Sequence, residues 1–294
     1  MWPLFDLEKQ YAEHPHIERE QVQEILFWTN TQPHLPELTE HEVLLFYHAC
    51  DHEVEYSKQV IDNYFTFRTN SDEFFGNLDL ESPQMKLAQK TVACFPLETW
   101  TPEGYCVLID KFMDTDPTKY DFIAGLKLVF AMQDMWLQGA DLIQGFVIII
   151  DVSGVKFGHI ARINLLHLKK LVYFLQEALP TRLIGVHFVN PSSVLEKLMA
   201  LIHLFIKKEL KDSFIAHSNL ESLHKHIPRH ILPQEYGGDQ LPANELAENF
   251  YQSLTKYRQD IIEYNNKRRV NEKLRPRKTN NGFGRMFKRL WPNG

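Results

Sequence analysis

Three groups of residues in this 294-residue chain have the types that chemistry needs. Asp151 closes an apolar run that begins at Gly145, and Ser153 and His159 follow close behind it. Carboxylates at strand ends of this kind carry function in α/β enzymes. A nucleophilic set also needs a third group and a strand-Ser-helix elbow. Neither is evident, so no catalytic residue is expected. His48 and His52 are four apart on one helix face, with Cys50 between them and Glu55 nearby, so two imidazoles could converge on zinc. A closed site needs two more ligands, and Cys50 points elsewhere; His217, His224, His226 and His230 follow no ligand spacing. Neither a metal nor a cofactor is therefore expected. The GxGxxG, GxxxxGK[ST], GxSxG and HExxH patterns are all missing.

The third group is apolar. Leu198, Leu201, Ile202, Phe205 and Ile206 form one wide helical stripe, and Lys207, Lys208 and Lys211 follow at once. Such a helix could close over an apolar cavity with its cationic end on a headgroup surface. It could equally be an ordinary core helix, since periodicity alone does not separate the two.

Composition limits what such groups can serve. With 44% hydrophobic residues and 12% aromatics, the chain is globular and long enough for a large core. Three cysteines, Cys50, Cys94 and Cys106, match neither a disulfide framework nor a CxxC pair, which points to a reducing compartment. An acidic start without an apolar h-region argues against secretion. The longest apolar runs, residues 146–150 and 198–206, fall short of the roughly 20 residues a spanning helix needs. The net charge of −6 divides into +9 for residues 267–294 and −15 for the rest. An acidic body repels nucleic acid, whereas the tail suits an anionic surface or is simply solvated. In the tail, Phe283, Met286, Phe287, Leu290 and Trp291 share a helical face that would dock on the body or meet a membrane.

The elements that position these groups are legible in outline. Before residue 100 the signals are helical only: residues 17–29 and 53–67 carry apolar residues at helical spacing, and Thr39 with Glu42 forms a capping box. This predicts a small bundle ending in the polar segment 69–79. After residue 100, strands at 105–112, 145–151 and 183–189 alternate with helices at 121–138, 162–178 and 192–211, and a last helix runs from about 244 to 269. Alternation of this kind predicts an α/β fold with a mainly parallel sheet covered by helices.

Longer stretches resemble a known family. Glu177-Ala-Leu-Pro-Thr-Arg182, Gly185-Val-His-Phe-Val-Asn190 and Ile231-Leu-Pro-Gln-Glu-Tyr-Gly-Gly238 are similar to the signature of the CRAL-TRIO lipid-transfer family, in its tocopherol- and retinaldehyde-carrier branch. Gly145-Phe-Val-Ile-Ile-Ile-Asp151 with Ser153-Gly-Val-Lys-Phe-Gly-His159 resembles its central strand and following loop, and Gln32-Pro-His-Leu-Pro36 with Leu44-Leu-Phe-Tyr-His-Ala-Cys50 its helical domain. The likeness spans residues 20–265. It implies an all-α bundle (1–95), an α/β lipid-binding domain whose sheet floors a hydrophobic cavity (96–240), and a C-terminal helix with the basic tail (241–294).

By position in those motifs, the resemblance implies a gate near residues 198–211 and a cavity lined by Leu126 and Phe130, then Phe146 and Ile150, then Phe157 and Ile163. Leu171, Leu175 and Leu179, then Val186 and Phe188, then Leu195, Leu198, Met199 and Ile202 extend the lining. Strand alternation independently puts Phe146, Ile148 and Ile150 on one face, and Val186 with Phe188 on one face. Leu201, Phe205, Ile206, Lys207, Lys208 and Lys211 are the expected membrane contacts.

Departures matter. His203-Leu204-Phe205 stands where relatives carry Lys-Pro-Phe. The family's phosphoinositide cluster corresponds to Cys50, Arg182, Ile184, Glu209 and Ser213, of which Arg182 alone is basic. Leu126 and Phe130 replace small hydroxyl residues, which argues against the same water-mediated contacts to a chromanol.

The expected protein is a cytoplasmic, monomeric, non-enzymatic carrier that meets membranes transiently. Its ligand would be tocopherol-, retinoid-, carotenoid- or phospholipid-like, held by burial at about 0.8 kcal/mol per CH₂. Tyr120, Ser153, His159 and His187 are the polar groups that could orient it. The alternatives are a membrane-surface or regulatory lipid-sensing module, and an α/β enzyme.

Overall fold

The structure is a computed structural model that describes residues 6–139 and 141–276. Five helices open the chain: α1 (Leu7–Glu13), α2 (Arg19–Thr31), α3 (Glu40–Ala49), α4 (Val54–Asn70) and α5 (Asp72–Phe75). The capping box at the start of α3 is formed in both directions: Thr39 Oγ1 accepts from the Glu42 N–H at 3.2 Å, and Glu42 Oε2 accepts from the Thr39 N–H at 2.8 Å. Aromatic residues fill the bundle, with Phe46, Tyr64, Phe65, Phe67, Phe74 and Phe75 fully enclosed. Phe74 and Phe75 lie in the segment 69–79 that reads as polar, and their burial makes α5 part of the core.

After α6 (Pro83–Thr91), five strands form one sheet in sequence order: β1 (Val92–Pro96), β2 (Tyr105–Phe112), β3 (Gly145–Asp151), β4 (Leu183–Val189) and β5 (Phe214–Ala216). β1 runs antiparallel and the others are parallel. The helical-only reading before residue 100 is corrected here by β1. Its four leading residues are all buried, so it has no polar-apolar alternation to betray it, and Pro96 sits at its end on a sheet edge where no ladder donor is needed. β5 is too short to leave a pattern. Crossovers α7 (Phe122–Gly139) and α9 (Leu165–Glu177) connect the parallel strands, with α8 (Phe157–Ile160) before α9. Asn164 fixes the start of α9 by accepting from the Leu166 and His167 N–H groups. α10 (Ser193–His203) and α11 (Leu220–His224) follow β4 and β5. The expected last helix is two, α12 (Ala243–Lys256) and α13 (Arg258–Lys267), parted at Tyr257.

Register divides the sheet into two faces. Cys106, Leu108 and Asp110 pair with Phe146, Ile148 and Ile150, and the last two pair with Val186 and Phe188, so all share the face toward α9 and α10. Val107, Ile109, Val147 and Ile149 point the other way, into a core with α12.

The bundle, α7 and α13 meet at a buried ion pair. The Arg68 guanidinium donates to Asp134 Oδ1 at 2.5 Å and Oδ2 at 2.9 Å, to Tyr64 Oη at 3.0 Å and to Asn265 Oδ1 at 3.0 Å. Burial acts to lower the Arg68 pKa, and the Asp134 carboxylate overrides it, leaving the group raised and charged. Part of the basic segment docks on the bundle as well: Arg268 donates to Glu42, and Arg275 to Asp62. The apolar stripe from Phe283 to Trp291 lies outside the described residues.

Removing one member strands the other, so Arg68→Met is expected to cost about 3–5 kcal/mol in chemical denaturation, and Arg68→Met with Asp134→Leu to recover most of that loss. A double variant as unstable as the single one would mean that the charges themselves, rather than the stranded partner, hold the junction.

Candidate functional site

Between the sheet, α7 and α9 lies an apolar cavity of about 110 Å³. Cys106, Leu108, Phe146 and Ile148 supply its floor, and Leu171, Phe174, Leu175 and Leu179 on α9 form one wall. Val129, Phe130, Met132, Gln133 and Trp136 on α7 form the other, and Ile143 and Thr181 stand at the rim. Their spacing explains the arrangement. Alternate residues of β2 and β3 face α9, and residues 129, 132, 133 and 136 recur on one helical face of α7. Gln133 is the polar exception, and its buried Nε2 has no hydrogen-bond partner.

Six of the expected lining residues meet at this cavity: Phe130, Phe146, Ile148, Leu171, Leu175 and Leu179. Ile150, Ile163, Val186, Phe188, Leu195, Leu198, Met199 and Ile202 instead pack together in the adjoining cluster between β4, α9 and α10. Leu126 turns into the bundle core, and Phe157 is 51% exposed under the Lys197 ammonium, 4.2 Å from its ring. Among the lining residues that the sequence does not single out are Cys106, Leu108, Val129, Met132, Gln133 and Trp136. Extending the period-2 pattern to β2 and the helical stripe along α7 would have found them.

The gate region is composite. α10 stops at His203, Leu204 stands 66% exposed, and a 3-10 turn covers Lys208–Ser213. Ile202 and Ile206 are buried against the α9 cluster, with Leu201 and Phe205 packed around them. Lys207 Nζ pairs with Glu177 at 2.5 Å, while Lys208 and Lys211 are exposed. Arg182 is held by Asp51 at 2.6 Å and by the His48 carbonyl at 3.2 Å.

Asp151 is fully engaged, accepting from the Ser153 N–H, Asn190 Nδ2 and Tyr236 Oη at 2.9–3.0 Å. Ser153 is exposed, and His187 projects from the sheet face away from the cavity. There His187 Nδ1 lies 2.8 Å from His217 Nε2, and His217 Nδ1 lies 2.8 Å from Ser222 Oγ. Ser222 donates to the Asn219 carbonyl, so its oxygen accepts from His217. The chain of donors therefore runs from neutral His187 through neutral His217. His48 Nε2 donates to the carbonyl of Ile143 at the cavity rim. Burial first lowers both His48 and His187 to about 4, with the Arg182 charge adding to it at His48. Among the described residues, no group of three or more His, Cys, Asp or Glu is arranged to hold a metal ion.

An apolar cavity between a sheet and its crossover helices has the lining that small hydrophobic molecules favour. The family profile of the CRAL/TRIO domain matches residues 90–238, half of the chain, and the chain belongs to that family. A Pinta-like, UBA domain profile matches residues 14–85. Alpha-tocopherol transfer protein-like of Homo sapiens is 28% identical over 201 residues, 67% of this chain and 57% of that protein. Clavesin-1 of Mus musculus is 29% identical over 241 residues, 80% of this chain and 67% of that protein. The crystal structure of Sfh5 superposes with a TM-score of 0.48 at 14% identity, over 69% of this chain and 73% of that one. This chain spans 57% of the length of the transfer protein-like relatives.

Leu175→Trp should fill the cavity, block apolar probes and change stability little, whereas Val186→Trp, at a packed position 3% exposed, should cost about 1–3 kcal/mol. Thermal unfolding beside probe binding checks both; equal destabilisation would deny that Leu175 borders usable space.

The histidines set a pH dependence. Their folded pKa values near 4 lie below the ordinary 6.5, so between those values the unfolded chain binds more protons and stability falls on acidification. A loss of roughly 1 kcal/mol per pH unit per group is expected in urea melts from pH 6.5 to 4.5, with a shallower slope for His48→Gln and for His187→Gln.

Proposed function

We propose that this chain is a non-enzymatic carrier that shields a hydrophobic ligand and exchanges it at membrane surfaces inside the cell. The observation that carries the reading is the cavity under α7 and α9, whose lining is apolar apart from Gln133 and Thr181. Membership of the CRAL/TRIO family and relatives named for tocopherol transfer support it.

The cavity volume of about 110 Å³ is well below the roughly 300–1,000 Å³ typical of ligand sites. A long ligand therefore enters by displacing lining side chains and the α10 segment. That segment is suited to the task, because its apolar stripe packs on α9 while Leu204, Lys208 and Lys211 face outward. Residues 195–202 would join the lining once α10 moves. Catalysis has no support in the site, since Asp151 spends its hydrogen-bonding capacity on the fold. Phosphoinositide exchange at Arg182 is not part of the proposal, because Asp51 already neutralises that guanidinium. No described helix is long and apolar enough to cross a membrane.

The direct test is mass spectrometry of organic extracts from purified protein, together with transfer of a fluorescent lipid between vesicles. Leu204→Asp should leave stability within about 0.5 kcal/mol, as exposed substitutions do, while slowing transfer severalfold. Lys208→Glu with Lys211→Glu should slow transfer to anionic vesicles more than to neutral ones. Unchanged transfer in both variants would remove the α10 segment from the mechanism.

A further inference from the structure

The bundle grips the rim of the cavity through the loop between α7 and β3. Gln10, 1% exposed on α1, uses both ends of its amide there: Nε2 donates to Asp141 Oδ1 and Oε1 accepts the Leu142 N–H, each at 2.9 Å. Lys9 pairs with Asp141 at 3.0 Å, and His48 Nε2 donates to the carbonyl of Ile143, a lining residue, at 3.1 Å. Beside that rim lies a recess of about 10 Å³ that shares Trp136, Ile143 and Thr181 with the cavity and is also bordered by His48, Leu142 and Arg182.

Four imidazoles meet where this grip is anchored. His14 closes α1, donating its N–H to the Gln10 carbonyl, and His16 follows in the turn to α2. The His14 ring lies 5.9 Å from His16 and 5.7 Å from His48, and the His52 ring lies 5.1 Å from His16 and 5.6 Å from His48. Each ring thus has two others as neighbours, in a closed circuit. The backbone after α3 holds His52 in it: Asp51 and His52 have φ of 54° and 63°, which few side chains adopt, and the His52 N–H donates to the Tyr47 carbonyl. His48 Nδ1 and His52 Nε2 are buried without a hydrogen-bond partner.

Such a circuit suits neutral rings only. A proton on one puts a positive charge 5.1–5.9 Å from two other sites that can take one, and Arg182 is already cationic beside His48 and His52. The carboxylates that act on the circuit each have a cation: Asp51 has Arg182, Asp141 has Lys9, and Glu13 lies 3.9 Å from the same Lys9. Glu18 and Glu53, which act on Tyr47 beside His52, are exposed, where solvent screens them. Burial, followed by the charge of Arg182 or of a neighbouring ring, lowers His14, His48 and His52 together. Acid therefore favours whichever state parts the rings.

We propose that His14, His16, His48 and His52 form an acid-sensitive catch: neutral, they fasten α1 and the 141–143 loop at the cavity rim, and protonated, they part and release that loop, so that ligand exchanges faster. The effect on exchange rests on the carrier reading above; the catch itself does not.

Hydrogen exchange on the full-length chain reads the catch at the Leu142 N–H, with Ile149 inside the sheet as control. Between about pH 7 and 5.5 the protection of Leu142, corrected for the intrinsic rate, should fall about tenfold or more, the share of one imidazole rising from about 4 to its ordinary value. Protection of Ile149 should fall much less. His48→Gln, whose amide can still donate to Ile143, should keep the neutral-pH protection and lose most of the acid response; adding His14→Gln, His16→Gln and His52→Asn should abolish it. Dissociation of N-phenyl-1-naphthylamine, loaded at neutral pH, should accelerate over the same range in the wild type and stay constant in the fourfold variant. An acid response at Leu142 no larger than at Ile149, or one undiminished in either variant, would overturn the catch, as would probe dissociation that ignores pH while Leu142 opens. If the probe does not bind at neutral pH, the carrier reading fails, and exchange at Leu142 still decides whether the catch exists.

Discussion

The pairing of Arg68 with Asp134 is the constraint around which the rest of the molecule is arranged. Neither charge reaches solvent, so each needs its partner and further hydrogen bonds to offset desolvation. Meeting that need brings together α4, α7 and α13, segments 66 and 197 residues apart along the chain. Around it, Asn265 Nδ2 and Arg269 both donate to the Phe75 carbonyl, and Arg269 also reaches the Arg68 carbonyl. A misplaced α13 or α7 leaves a charge stranded in an aromatic core. The pair thus acts less as a source of stability than as a condition on which packing is acceptable.

That condition matters for the cavity because α7 and α9 each have two occupied sides. Phe130 and Phe174 belong to the bundle core and also line the cavity. The bundle is therefore the outer support of the cavity walls. Asn63 strengthens the link by donating to the Glu177 carbonyl at the end of α9, and His48 does so at Ile143. By contrast, α10 is attached through its apolar stripe and the hydrogen bonds between Gln176 and the 205–207 segment. Both cavity walls thus have the bundle behind them, whereas α10, outside the lining, rests on α9 with solvent on its other side.

The sequence carried the architecture where patterns were long. The capping box at Thr39, the buried strands β3 and β4 and the crossover helices all stood in simple periodicities. β1 and β5 did not, the first because a uniformly buried edge strand shows no alternation and the second because three residues make no pattern. The site was legible only in part for a related reason. An apolar residue on a strand looks the same whether it meets a void or a neighbour, so Val186, packed, and Ile148, at the cavity, are indistinguishable by type. Orphaned polar atoms such as Gln133 Nε2 and His159 Nε2 exist only as three-dimensional facts. Their residue types gave no hint, since most glutamines and histidines find partners.

The two sheet faces treat their polar groups differently. On the α12 side, polar groups at strand ends are bound to the protein: Asp151 takes three donors, and His187 hands its proton on through His217 to Ser222. On the α9 side the strands are almost wholly apolar, and Asp110 is not bound to the protein at all. A change of packing on the α9 side therefore strands few polar groups, whereas one on the α12 side breaks the hydrogen bonds of Asp151 and His187.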